Sequence, residues 1–179
     1  MVPILKTPLL LLTTLTAVSC AIFGPTEIKD TPLKLSSFKS DGCSAYPDGY
    51  HETKKKEWLH CCIAHDLFYW IGGTKVLREE VDHEFAQCIK GETNTLQSEL
   101  MKMGVRTGGR PRTNLPWRWG YGWNKNTPYF DLRKQDKEQI LSLLDQGRKE
   151  IESFSKDLNR KQQSYILERL EKFTNLINE

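Results

Sequence analysis

Hydrophobic and polar positions alternate along this chain with helical spacing in three separate stretches. The first runs from about Thr53 to Ile71 and the second from Thr74 to Ile89 or Lys90. Thr53 and Thr74 supply hydroxyls that can cap the two N-termini, Gly72-Gly73 stops the first helix, and Gly91 ends the second. Within the second, Val81, Phe85, Cys88 and Ile89 make one apolar face. A two-glycine stop between two such helices predicts a tight, roughly antiparallel pair. From about Gln135 to Glu179 the pattern returns. Ile140, Leu144, Ile151, Phe154 and Leu158 form one stripe, and Ile166, Leu170, Phe173 and Ile177 form another, which predicts a C-terminal helical hairpin. Residues 91–130 differ in texture: Arg106, Arg110 and Arg112 with glycine and proline lead into Trp117, Arg118, Trp119 and Trp123. Short loops or a hairpin are expected there. The fold class is all-α.

The N-terminal apolar run is of another kind. Lys6 is the only charge in residues 1–19, and Leu9 to Leu12 begin a run too short to span a bilayer as a stable helix, which reads as an export signal. It ends in Ala17-Val18-Ser19-Cys20, which resembles the bacterial lipoprotein box, with Cys20 as the acylated residue. The expectation is a membrane-anchored lipoprotein in an oxidising compartment. Ala21 is compatible with outer-membrane sorting in a two-membrane cell. Ordinary secretion, with Cys20 in a propeptide or free, is the alternative. Residues 20–40 are Pro-, Thr-, Ser- and Lys-containing without a period and read as a tether, and residues 41–49 read as a loop.

Composition narrows the class. Charged residues at 27% and hydrophobic residues at 38% exclude a polytopic membrane protein, and a net charge of +3 is too small to argue for a nucleic-acid partner. The 5 cysteines are more informative, because Cys43, Cys61, Cys62 and Cys88 cluster while Cys20 stands apart. Lipidation of Cys20 accounts for the odd number.

The candidate chemistry lies on the first helix. At helical spacing Cys61, His65 and Tyr69 share one face, and Cys62 and Asp66 form the neighbouring stripe. Cys61-Cys62-Ile63-Ala64-His65-Asp66 is similar to the active-site helix of the secreted phospholipase A2 superfamily. Val81 to Cys88 resembles that family's second long helix, with Asp82 six residues before Cys88 as the family places the Asp that orients its His. The resemblance covers roughly residues 41–90. It implies a phospholipase A2-like domain over 41–130, followed by a helical extension over 131–179. It also implies the bridges Cys61–Cys88 and Cys43–Cys62, with a further family bridge exchanged for an apolar pair, Phe68 and Val81. Its mechanism would have His65 take a proton from water, with Asp82 orienting the imidazole and Tyr69 supporting Asp82. Asp66 and the carbonyls of Gly42, Ser44 and Tyr46 would hold Ca²⁺ against the developing oxyanion. The implied activity is hydrolysis of a phospholipid acyl ester at a membrane surface.

The chain departs from the family where a glycine-rich loop gives way to Ser44-Ala45-Tyr46-Pro47-Asp48-Gly49, beside which Asp41 or Asp48 offers a further carboxylate. A catalytically silent lipoprotein using the scaffold for structure or lipid binding is the alternative function. His60, Cys61, Cys62, His65 and Cys88 also permit a zinc reading, against which adjacent cysteines in an exported chain favour disulfides. His60 and His83 are expected to be packing or solvated residues, and His51 carries no assigned role. The tryptophans and arginines of 106–123 read either as a lid packed over the helix pair or as a surface for phospholipid headgroups.

Overall fold

The computed structural model of the protein describes residues 32–50 and 56–179. The expected signal, acylated Cys20, His51 and the Thr53 cap lie outside those residues. The described chain is all-α, with five helices and no strand beyond one antiparallel bridge between Leu35 and Trp123. These are α1 (Leu59–Ile71), α2 (Lys75–Glu92), α3 (Thr95–Gly108), α4 (Lys134–Ser153) and α5 (Arg160–Asn178). None is long and apolar enough to cross a membrane.

α1 is the centre of the molecule. Every residue except Asp66 is buried, as a helix apolar on nearly all sides must be. It begins later than its sequence suggests: residues 56–58 form a turn, and Trp58 precedes the first helical residue. α2 starts where expected, with Thr74 accepting the Leu77 amide at 3.1 Å. It passes through Gly91 and ends at Glu92, because Thr93 satisfies the Ile89 carbonyl through both its amide and its hydroxyl. Cys61 bonds Cys88 and Tyr69 approaches Arg78, so the start of α1 meets the end of α2 and the pair is antiparallel.

Residues 91–130 hold a helix that loop composition concealed. Asn94 caps α3 by accepting the Gln97 amide at 3.0 Å, and Ser98 donates to the Ala86 carbonyl at 2.6 Å, fixing α3 on α2. The tryptophan segment after it packs inward. A helix leaves its last carbonyls without intrahelical donors. Here Gly120 N–H donates to Tyr69 O at 2.7 Å, Gly122 N–H to Trp70 O at 2.9 Å, and Trp123 Nε1 to Ile71 O at 2.6 Å. The backbones touch closely, since a Cβ on Gly72 would stand 2.9 Å from Gly120 Cα. Trp119 and Trp123 are fully buried, so they form the lid and not a headgroup surface.

Residues 32–40, expected as tether, are also structural. Phe38 is buried edge-on to Trp70, Ser36 accepts from Trp70 Nε1 at 2.7 Å, and Lys34 and Ser36 pair with Asn124 and Gly122. The apolar stripes of α4 and α5 enter this same core: Phe173 lies against Phe68 and Trp70, and Ile140, Ile151, Ile166 and Leu170 surround them. A second, smaller cluster gathers Trp58, Phe85, Ile89 and Met101 about the disulfides.

Candidate functional site

Both disulfides implied by the resemblance are present, Cys43–Cys62 and Cys61–Cys88. The first ties the 41–49 loop to α1, and the second locks α1 to α2. Phe68 and Val81, the expected apolar pair, are both buried in the main core. Bonding of Cys61 to Cys88 removes the thiolates that a zinc site would need, although His60 Nε2 lies 3.5 Å from Cys61 Sγ. His60 is buried against Tyr165, a packing position, and His83 contacts Gln87 on the surface.

The locked helices bring His65, Asp82 and Tyr69 together. His65 Nε2 lies 3.0 Å from Asp82 Oδ1, and Tyr69 Oη donates to the same oxygen at 2.7 Å. A carboxylate only accepts, so Nε2 carries the imidazole proton and Nδ1 is left as the basic nitrogen. Nδ1 makes no hydrogen bond with the described residues. The ring is clamped between Tyr69 and Phe85, with centroids at 4.1 and 4.6 Å. Burial holds the His65 pKa below its usual 6.5, against the opposing pull of Asp82, and the imidazole is therefore neutral at pH 7. Asp82 is fully buried. Its second oxygen has no hydrogen bond but stands 3.4 Å from Arg106 Nε and 3.9 Å from Arg78 Nε.

His65 forms part of the wall of a cavity of about 500 Å³ whose other walls are mostly apolar. Phe85, Leu100, Met101, Val105 and Trp117 line it, together with Gly42, Ser44, Tyr46 and Asp66. Much of the apolar wall comes from α3, which sequence reading missed. Its signal was present in Asn94 as a cap and in Leu96, Leu100, Met101 and Val105 at helical spacing, but Gly104, Gly108 and Gly109 gave the stretch a loop-like composition. Leu96, Leu100 and Met103 are 71, 49 and 58% exposed, so α3 also presents apolar side chains to solvent beside the cavity.

Asp66 reaches the cavity next to His65. Ser40 donates to Asp66 Oδ2 at 2.7 Å, and no lysine or arginine among the described residues pairs with it. Burial, reinforced by the nearby charges of Asp41 and Asp48 and opposed by Ser40, pushes its carboxyl well above the ordinary carboxylate range. Asp66 is thus a carboxylate without a basic partner, near the loop acids Asp41 and Asp48, whose Oδ1 atoms accept from Ser44 Oγ and the Cys43 amide. Carboxylate and backbone oxygens are the donor types that a hard divalent ion takes, and not those of a thiolate zinc site. The loop turns at Gly42, with φ +80°, and a Cβ there would stand 2.5 Å from Asp48 Oδ1, the oxygen that accepts the Cys43 amide at 3.0 Å.

Arg78 is the other residue that sequence reading missed. It stands one turn before Asp82 on α2, so the four-residue spacing from that acid was its only signal. No protein-family model matches the chain, and neither does any curated protein or solved structure.

Proposed function

We propose that the protein hydrolyses an acyl ester of a phospholipid at a membrane surface, with His65 as general base, as its resemblance to secreted phospholipases A2 implies. The observation that carries this reading is an imidazole held at 3.0 Å by a buried carboxylate, opening on a largely apolar cavity of about 500 Å³.

In this reading His65 Nδ1 takes a proton from a water as the water oxygen bonds to the ester carbonyl carbon. Asp82 keeps the ring in the required tautomer and stabilises the imidazolium, and Tyr69 holds Asp82. His65 then returns the proton to the leaving alcohol oxygen as the ester bond breaks, so the site ends as it began. Asp66 and the carbonyls of Gly42, Ser44 and Tyr46 would hold Ca²⁺, which supplies positive charge to the carbonyl oxygen as that oxygen turns anionic. Apolar side chains of α3 and Phe85 receive an acyl chain, and the exposed Leu96, Leu100 and Met103 suit contact with lipid.

The decisive experiment is hydrolysis of phospholipid vesicles by the purified mature protein, with calcium and with chelator, beside His65→Gln. Cleavage is expected to fall by about 10²- to 10⁴-fold in the variant. Equal rates for the two proteins would dismiss His65 as base and leave a silent, lipid-binding scaffold. Cleavage that survives chelation would remove the role given to Asp66. Anchoring through acylated Cys20, and with it an outer-membrane or periplasm-facing location, rests on residues 17–20. Labelled fatty acid should enter the wild type and not Cys20→Ser; label in both would dismiss that anchor.

A further inference from the structure

Arg78 is buried on α2, and its guanidinium is spent on four hydrogen bonds. Nη1 donates to Tyr129 Oη at 2.9 Å, and Nη2 donates to the carbonyls of Val105 and Arg106, each at 3.0 Å. Those three bonds join α2 to the last turns of α3 and to the segment before α4, which is a structural task. The fourth bond is different. Nε donates to Tyr69 Oη at 3.0 Å, the oxygen that already reaches Asp82 at 2.7 Å.

A phenol has one proton. Because Arg78 points an N–H at the Tyr69 oxygen, that oxygen accepts there and its own proton must go to a different neighbour, Asp82 Oδ1. The bonds then run in one direction, from Arg78 to Tyr69 to Asp82, where they meet the Nε2 proton of His65 on the same oxygen. Without the Arg78 donor the hydroxyl is free to turn, and Asp82 loses the partner that holds its oxygen in place. Burying a guanidinium is costly unless its donors and charge are satisfied, so this position is demanding to maintain. A lysine would keep the charge but could not aim donors at four fixed oxygens.

We propose that Arg78 is a positioning residue for His65, acting through Tyr69 by directing the phenol proton onto Asp82. The activity readout of this proposal rests on the hydrolytic reading above; its spectroscopic readout does not.

The test measures kcat and KM on phospholipid vesicles with calcium for wild type, Arg78→Lys, Tyr69→Phe and the double variant. Each single variant should lower kcat by about 10- to 100-fold with KM nearly unchanged, and the double should fall no further than the worse single. A double variant that falls by the product of the two single effects overturns the proposal, as does wild-type kcat in Arg78→Lys. The second readout is the His65 Nε2 proton in NMR spectra, expected as a resolved downfield resonance in wild type and broadened by exchange in both single variants. An unchanged resonance in folded Arg78→Lys overturns the proposal. If wild type cleaves no phospholipid, the hydrolytic reading fails and the resonance alone decides the role of Arg78. If Arg78→Lys does not form both disulfides, Tyr129→Phe replaces it, since it deletes one Arg78 acceptor on the side away from Tyr69. Lower kcat at constant KM, or a broadened resonance, is then the expected result, and wild-type behaviour in the readout available overturns the proposal.

Discussion

At its N-terminal end α1 is held by covalent bonds, Cys61 to Cys88 of α2 and Cys62 to Cys43 of the loop, whereas its C-terminal end is held by packing and backbone hydrogen bonds. The difference follows from what each end faces. Cys62, His65 and Asp66, from the front turn to the middle of the helix, open on a cavity, and a helix cannot be close-packed against empty volume. Two disulfides supply there the constraint that packing cannot. The rear end is closed differently: Tyr69 still lines that cavity, but Phe173, Trp119 and Trp123 pack around the helix, and donors from residues 120–123 close its last carbonyls. The covalent constraint therefore lies at one end of the helix and the larger apolar core at the other, with the candidate site running from His65 to Tyr69 between them.

The largest effect should come from the rear. Phe173 is fully buried between Phe68 and Trp70, and Phe173→Ala should cost about 3–5 kcal/mol in urea unfolding. Hydrolysis per folded molecule should be unchanged, because Phe173 does not line the cavity. A folded variant without hydrolysis would show that rear packing sets the site and would break the comparison.

Removing the α1–α2 staple should produce the reverse signature. Cys61 and Cys88 are 27 residues apart, and freeing that loop in the unfolded chain costs about 3.5 kcal/mol in the loop-entropy picture. Cys61→Ala/Cys88→Ala should lose that stability and also most hydrolysis, because the disulfide sets the α2 register that brings Asp82 to His65. Full hydrolysis in a destabilised double variant would mean that packing alone aligns the two helices.

This division explains which parts of the molecule could be read from the sequence. α1, the α2 cap at Thr74 and the C-terminal stripes were legible because spacing and caps are local properties. The front-end residues were legible through a resemblance: Cys61, Cys62, His65, Asp66, Asp82 and Cys88 sit at fixed intervals on two helices, and both bridges have formed. The rear was harder because its logic is non-local. Nothing near Gly120 says that its amide caps a carbonyl of Tyr69, and nothing in residues 32–40 says that Phe38 packs on Trp70. Composition misled at both ends, giving a tether where residues 32–40 pack at the rear and a loop where α3 lines the cavity at the front. Arg78 was missed for the same reason, since its four acceptors come from Tyr69, Val105, Arg106 and Tyr129.

The smallest expected effect is an acid sensitivity confined to the front end. Burial lowers the His60 pKa from 6.5 to about 4, with Glu92 opposing and Lys161 adding to the shift. Burial lowers His65 too, against Asp82. A folded-state pKa below the unfolded value means that the unfolded chain binds more protons between the two. The His60 contribution is therefore complete above pH 6.5, declines as pH falls, and is gone below about 4. Asp66 works in the opposite sense: its raised pKa adds stability as pH falls through the folded value, so the wild-type slope alone is ambiguous. Comparison with His60→Phe isolates the histidine. The difference in urea-unfolding free energy between wild type and this variant should shrink by about 1–2 kcal/mol from pH 7 to pH 4.5, less than the full shift implies because Glu92 and Lys161 are within reach of solvent. A difference that stays constant over that range would show that His60 titrates alike in both states, and the front end would then owe its acid response to His65 and Asp66.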